Sequence, residues 1–172
     1  MFKNIAIIGC GLIGSSILRA INKKKIAENI NIYDKSDKVL SFLKQENLKI
    51  NICKNISDVS KGADLTIIST PLSSYKDVLL SIKDNLKEGS ILTDTGSVKN
   101  QINKIVENLN FKNISWVASH PIAGTEESGP ESGFAELFKN RWCILTPSQK
   151  AKGNDKEAKE KVTYVGHFVN VK

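Results

Sequence analysis

Apolar residues along the chain fall into two alternating patterns. Short, nearly continuous runs occupy residues 3–9 (KNIAIIG), 30–34 (INIYD), 63–70 (ADLTIIST), 89–94 (GSILTD), 114–119 (ISWVAS) and 142–147 (WCILTP). Between them, residues 12–25, 35–45, 73–86 and 98–109 carry apolar side chains every three or four positions, as Tyr75, Val78, Leu79, Ile82 and Leu86 do. The runs predict strands covered on both faces, and the periodic stretches predict amphipathic helices. Strands that alternate with helices make right-handed βαβ units. The predicted fold is therefore α/β, a doubly wound, mostly parallel sheet of the Rossmann dinucleotide-binding type over residues 1–147. Beyond it, residues 148–161 are polar, with Asn154 or Asp155 placed to cap a short exposed helix, and residues 162–172 turn apolar again.

Composition narrows the partners. Hydrophobic residues make up 40% and charged residues 25%, the balance of a globular domain rather than a disordered one. The net charge is +7, yet only Arg19 and Arg141 among the 25 basic residues are arginines. No aromatic residues interleave with the lysines, and the densest lysine set alternates with Asp and Glu. This argues against nucleic-acid or membrane binding and for a solvated surface that helps attract an anionic ligand. Cys10, Cys53 and Cys143 form no CxxC pair, as expected of a reduced, cytoplasmic protein without a metal cluster. No stretch reaches the about 18 consecutive apolar residues that a membrane helix needs.

Four motifs carry candidate chemistry, each at the end of a predicted strand. The first is GCGLIGSS. Gly9 permits a tight turn, Gly11 lets the backbone approach a pyrophosphate, and Gly14 lets helix and strand pack closely. Leu12 and Ile13 then open a helix whose free N–H groups and positive dipole end suit phosphates. Asp34 follows Gly14 by 20 residues at the end of the second strand. A carboxylate there binds ribose hydroxyls and repels a 2′-phosphate, which favours NAD over NADP; Lys35 and Lys38 oppose that preference. The alternative is a glycine-rich turn without a ligand. The second motif, Ser69–Thr70–Pro71, puts small residues where a nicotinamide ribose approaches the backbone, and equally suits a helix start capped by Thr70. The third, DTGSVK, offers the Ser97 hydroxyl on the same rim, or else a plain N-cap. The fourth is SHPIAGTEESG. His120 ends a strand on that rim and is a candidate general acid or base, or else a histidine bonded to a backbone carbonyl. The loop after it, with Thr125 and Glu126, suits a lid over a polar ligand or a solvated connection.

Taken together, IAIIGCGLIGSS, ADLTIISTP, DTGSVK and above all SHPIAGTEESGPESGFAELFKNRWCILTP resemble the nucleotide-binding domain of the prephenate/arogenate (cyclohexadienyl) dehydrogenases, over about residues 3–147. The resemblance implies an enzyme of tyrosine biosynthesis that oxidises prephenate or arogenate with NAD and releases carbon dioxide. It implies that His120 takes the proton of the substrate's ring hydroxyl and that Ser97 helps hold that hydroxyl. Thr125 and Glu126 would line or gate the substrate site. Gly9, Gly11, Leu12, Ile13, Gly14, Asp34, Ser69, Thr70 and Pro71 would hold the cofactor. Members of that family carry a further all-helical domain that dimerises and supplies cations for the substrate carboxylates. That domain is absent from this sequence, so the chain is expected to bind NAD and to turn over prephenate slowly or not at all. Two alternatives stay open. One is another NAD(P)-dependent dehydrogenase or reductase, against which the long HPIAGTEESG run speaks. The other is a non-catalytic dinucleotide-binding module.

Overall fold

The computed structural model describes residues 2–147 and residue 160. Seven strands form one sheet: β1 (Phe2–Ile8), β2 (Ala27–Tyr33), β3 (Asn51–Ile52), β4 (Leu65–Ile68), β5 (Ile91–Asp94), β6 (Ser115–Pro121) and β7 (Cys143–Pro147). Their order is β3-β2-β1-β4-β5-β6-β7. All neighbours are parallel except β6 and β7, which run antiparallel with His120 opposite Ile144. The connections carry α1 (Leu12–Lys24), α2 (Asp37–Gln45), α3 (Ile56–Val59), α4 (Tyr75–Ile82) and α5 (Lys99–Leu109). This is the doubly wound arrangement, and its strand order reverses between β1 and β4, where such sheets bind ligands.

The side-chain alternation of the strands builds two cores. Ile5 and Ile7 of β1 join Leu18, Ile21, Ile32, Leu43 and Ile67 on the face covered by α1 and α2. Ala6 and Ile8 join Ile68, Leu79, Leu92, Ile102 and Trp116 on the face covered by α4 and α5. On α1, Gly14, Ile17, Leu18 and Ile21 are buried at helical spacing, and Lys25 closes the helix in the left-handed conformation.

Several elements differ from expectation. The segment between α2 and β4 contains β3 and α3, which are too short to leave a periodic signal. β4 ends at Ile68, two residues before Thr70. The expected helix over 73–86 is α4 flanked by single 3₁₀ turns at Leu72–Ser74 and Lys83–Asn85. α5 starts at Lys99 with Val98 at its N-cap, so Ser97 lies outside the helix and does not cap it. β6 runs on through His120 to Pro121, because β7 pairs with it there. The expected caps Asn154 and Asp155 and the apolar tail lie outside the described residues.

At the edge of the sheet remote from the strand ends that matter below, Asp64 joins β1 to β4. Its Oδ2 accepts the N–H groups of Lys3 and Asn4, each at 3.0 Å, and its Oδ1 accepts Lys87 Nζ at 2.6 Å. Partial burial raises the carboxyl's pKa, but the Lys87 ammonium and the two N–H groups outweigh it and hold the pKa below its ordinary value. A pKa depressed on folding adds stability above the unfolded value, about 3.9, and that stability is lost as pH falls through the folded value. Asp64→Asn is therefore expected to cost about 1–2 kcal/mol at pH 7. The gap between thermal melts of parent and variant should begin to narrow below about pH 4 and close as pH falls through the depressed folded value. A gap that stays constant from pH 7 to pH 3 would contradict this.

Candidate active site

β1 ends in a turn that only glycine fits. Gly9 has φ +87, and a Cβ there would lie 2.7 Å from Ser69 O. A Cβ on Gly14 would lie 1.9 Å from Gly9 O, so α1 sits directly on the turn with no side chain between. At Gly11 a Cβ would meet nothing within 4 Å, which leaves the backbone open to approach. Gly11 is the N-cap of α1 and provides no side-chain cap, whereas Ser36 Oγ caps α2 by accepting Val39 N at 3.4 Å. The first-turn N–H groups of α1 are thus available to an anion. The open backbone at Gly11 and the uncapped helix end fit the pyrophosphate of a dinucleotide.

Asp34 follows β2 directly. Its Oδ2 accepts Cys10 N at 2.7 Å and its Oδ1 accepts Ser36 N at 2.9 Å. The carboxylate therefore ties the glycine turn to the end of β2, and each oxygen keeps lone-pair capacity for a further donor. Beneath it, Cys10 is buried, and burial followed by the Asp34 charge pushes its thiol pKa up to about 12. It is an inert core thiol.

A cleft of about 760 Å³ opens along the carboxyl ends of β1, β2, β4, β5 and β6. Gly9, Gly11, Leu12, Ile13 and Asp34 line one end of it, and Ser69, Thr70 and Pro71 follow β4 into it. Ser97 and His120 line it as well. Gly14 does not reach the cleft and acts in packing. Thr125 and Glu126 do not line it either; Glu127, Ser128 and Gly129 do. The loop turns at this point, with the Thr125 hydroxyl accepting Glu127 N at 3.2 Å and Gly129 at φ +88. It then straps onto α1, where Ser16 Oγ accepts Phe134 N at 3.1 Å. Among the described residues the imidazole of His120 makes no hydrogen bond to a backbone carbonyl.

The floor under Ser97 and His120 is a buried network that sequence reasoning missed. The β5–β6 ladder stops at Thr93 opposite Val117. One step further, the side chain of Asp94 takes over from the backbone: Oδ1 accepts Ser119 N at 3.1 Å, and Oδ2 accepts Gly96 N at 2.9 Å. Asp94 is 0% exposed, and its charge is met by Lys99 Nζ at 2.6 Å from Oδ2. The same ammonium donates to Ser119 O at 2.5 Å. Burial lowers the Lys99 pKa, and Asp94 pulls it back up. Ser119 Oγ also donates to the Asp94 carbonyl. A Cβ on Gly96 would lie 3.1 Å from Asp94 Oδ2 and 2.9 Å from Ile102 Cδ1, so the loop closes tightly here. The available signal was the acid and the lysine that flank Ser97 in DTGSVK, one ending a buried strand and one starting a helix. Among the described residues no group of three or more His, Cys, Asp or Glu could hold a metal, and no helix is long and apolar enough to cross a membrane.

The family model described as prephenate dehydrogenase, nucleotide-binding domain, matches residues 17–171. That match begins after the glycine turn, which is thus an independent observation. The cyclohexadienyl dehydrogenase of Zymomonas mobilis is 42% identical over 147 residues, 86% of this chain and 50% of that protein. The prephenate dehydrogenase of Bacillus subtilis is 31% identical over 99% of this chain and 47% of its own length. The crystal structure of Aquifex aeolicus prephenate dehydrogenase in complex with hydroxyphenyl propionate and NAD+ superposes with a TM-score of 0.86 at 27% identity, covering 100% of this chain and 59% of that one. The chain spans about half the length of the curated relatives it matches.

Removing one partner of the buried ion pair leaves an uncompensated charge. Lys99→Met is expected to destabilise the protein by about 3–5 kcal/mol, and the double change Asp94→Asn with Lys99→Met should recover part of that loss. Denaturant melts check it; a single variant as stable as the parent would refute the pairing.

Proposed function

The chain belongs to the prephenate dehydrogenase nucleotide-binding domain family, and on that footing we propose that it is the cofactor-binding half of an NAD-dependent dehydrogenase acting on prephenate or arogenate. The reaction is an oxidative decarboxylation that yields 4-hydroxyphenylpyruvate or tyrosine. One observation carries the reading: Ser97 and His120 line the same cleft as the uncapped start of α1. The solved Aquifex aeolicus relative with NAD+ and a hydroxyphenyl compound supports it.

NAD, when bound, supplies the hydride acceptor. Gly11, Leu12 and Ile13 would cradle its pyrophosphate with backbone N–H groups, while Gly9, whose own N–H donates to Tyr33 O at 2.9 Å, makes the turn beneath it. Gly14 keeps α1 close to the turn, Asp34 would receive ribose hydroxyls, and Ser69, Thr70 and Pro71 would hold the nicotinamide ribose. Neutral His120 accepts the proton of the substrate's ring hydroxyl, and Ser97 holds that hydroxyl in line. Loss of this proton pushes electrons toward hydride release, and departure of the ring carboxylate as carbon dioxide then aromatises the ring. Thr125 and Glu126 act through the turn they shape, and Glu127, Ser128 and Gly129 face the ligand.

Prephenate and arogenate each carry two carboxylates, and among the described residues no arginine lines the cleft. Arg19 pairs with Glu46, with Nη2 2.6 Å from Oε1. The curated relatives carry about as much chain again. To that portion we assign the cations for the carboxylates and the homodimer contact. Trp142 and Ile144, 68% and 53% exposed on and beside β7 next to His120, are where it packs.

Two outcomes are expected. His120→Gln should lower kcat by about 10²–10⁴-fold in the full-length protein while the Kd for NAD measured by calorimetry stays within about twofold. Retained turnover would remove His120 from the mechanism. In calorimetry the parent should bind NAD more tightly than NADP, and Asp34→Ala should erase the difference; tighter binding of NADP by the parent would sink the assignment of Asp34.

A further inference from the structure

Ser97 and His120 are 23 positions apart, one in the loop after β5 and one in β6, yet each directly follows a backbone N–H bound to the same carboxylate, Gly96 N on Asp94 Oδ2 and Ser119 N on Asp94 Oδ1. That carboxylate is in turn held by a residue from a third element. Tyr75, on α4, is 0% exposed, and its hydroxyl donates to Asp94 Oδ2 at 3.2 Å. The same hydroxyl lies 3.4 Å from the carbonyl of Ile68, the residue before Ser69. Neither Tyr75 nor Asp94 lines the cleft, and both are 0% exposed.

We propose that Tyr75 and Asp94 are positioning residues: together they set the placement of Ser97 and His120 relative to each other and to the cofactor wall after β4. This rests on the reading of the site given above. The charge of Asp94 is already met by Lys99 and by two N–H groups, so the Tyr75 hydroxyl is not required to neutralise it. What the hydroxyl adds is direction. With Tyr75, Lys99 and Gly96 on Oδ2 and Ser119 on Oδ1, the carboxylate is unable to rotate without breaking bonds that water does not replace at a site with no exposure. Free rotation would displace the Ser119 and Gly96 backbones together, and displacements of that kind next to reacting groups are costly in rate. Tyr75 also reaches the β4 end, so one hydroxyl couples the cofactor wall to the base.

Tyr75→Phe tests this, because the ring that fills the core beside Leu79 and Ile102 is kept. In the full-length protein kcat is expected to fall about tenfold, with the Kd for NAD within about twofold of the parent. Turnover equal to the parent's would overturn the proposal. The isotope-labelled ring of His120 gives a readout that needs no turnover: Tyr75→Phe should displace its NMR signals, while Asp58→Asn, at an exposed surface pair, should not. Unmoved His120 signals in Tyr75→Phe would overturn the proposal even if the protein consumed no prephenate or arogenate. Absence of such turnover in the parent, with the signals displaced, would refute the proposed function and leave the positioning network standing.

Discussion

A carboxylate with no exposed surface must have its charge met inside the fold, and that constraint organises the carboxyl edge of this sheet. Asp94 ends β5 and takes donors from Tyr75 on α4, Gly96 in its own loop, Lys99 at the start of α5 and Ser119 in β6. Leaving out Lys99 strands a buried charge, and leaving out the carboxylate strands buried donors. Gly96 must therefore be small, Lys99 must begin the helix, and β6 must come alongside even after its backbone ladder to β5 has stopped. The positions of Ser97 and His120 are consequences of these requirements.

A second carboxylate does related work at the other end of the cleft. Asp34 binds the backbone of Cys10 and Ser36, and so fastens the glycine turn to β2. Between the two, Thr95 Oγ1 donates to Ser69 Oγ at 3.1 Å and links the loops after β5 and β4. The cofactor side and the base side of the cleft are thus parts of one hydrogen-bonded rim, built on strands whose opposite faces are filled by separate cores. Rigid elements below and short loops above are what a site with precise geometry needs.

How much of this was legible in the sequence follows from which interactions are local. The apolar runs marked β1, β4, β5 and β6 because continuous burial leaves a continuous apolar string. The glycine turn was readable because its requirement for small residues lies within six consecutive positions. β3 and α3 were not, since two and four residues carry no period. Ser97 looked as much like a helix cap as a site residue; the helix instead starts at Lys99, one residue later than expected, where Lys99 meets Asp94 and Ser119 across up to 20 positions. Thr125 and Glu126 were expected to line or gate the substrate site; the residues of that loop that line the cleft are the next three, Glu127 to Gly129. Asp94 and Lys99 stood in plain view on either side of Ser97, but that they pair across the buried end of β5 depends on the fold.

The central claim is that the dinucleotide and the proton acceptor share this one rim. A titration of the isotope-labelled protein with NAD, followed by backbone amide and His120 ring NMR signals, tests it most directly. The account predicts large shifts at residues 9–14, 34 and 69–71 and a smaller one at the His120 ring, with the amides of β3 and the exposed face of α5 unmoved. Shifts confined to other surfaces, or saturation of NAD binding with residues 9–14 unaffected, would contradict it.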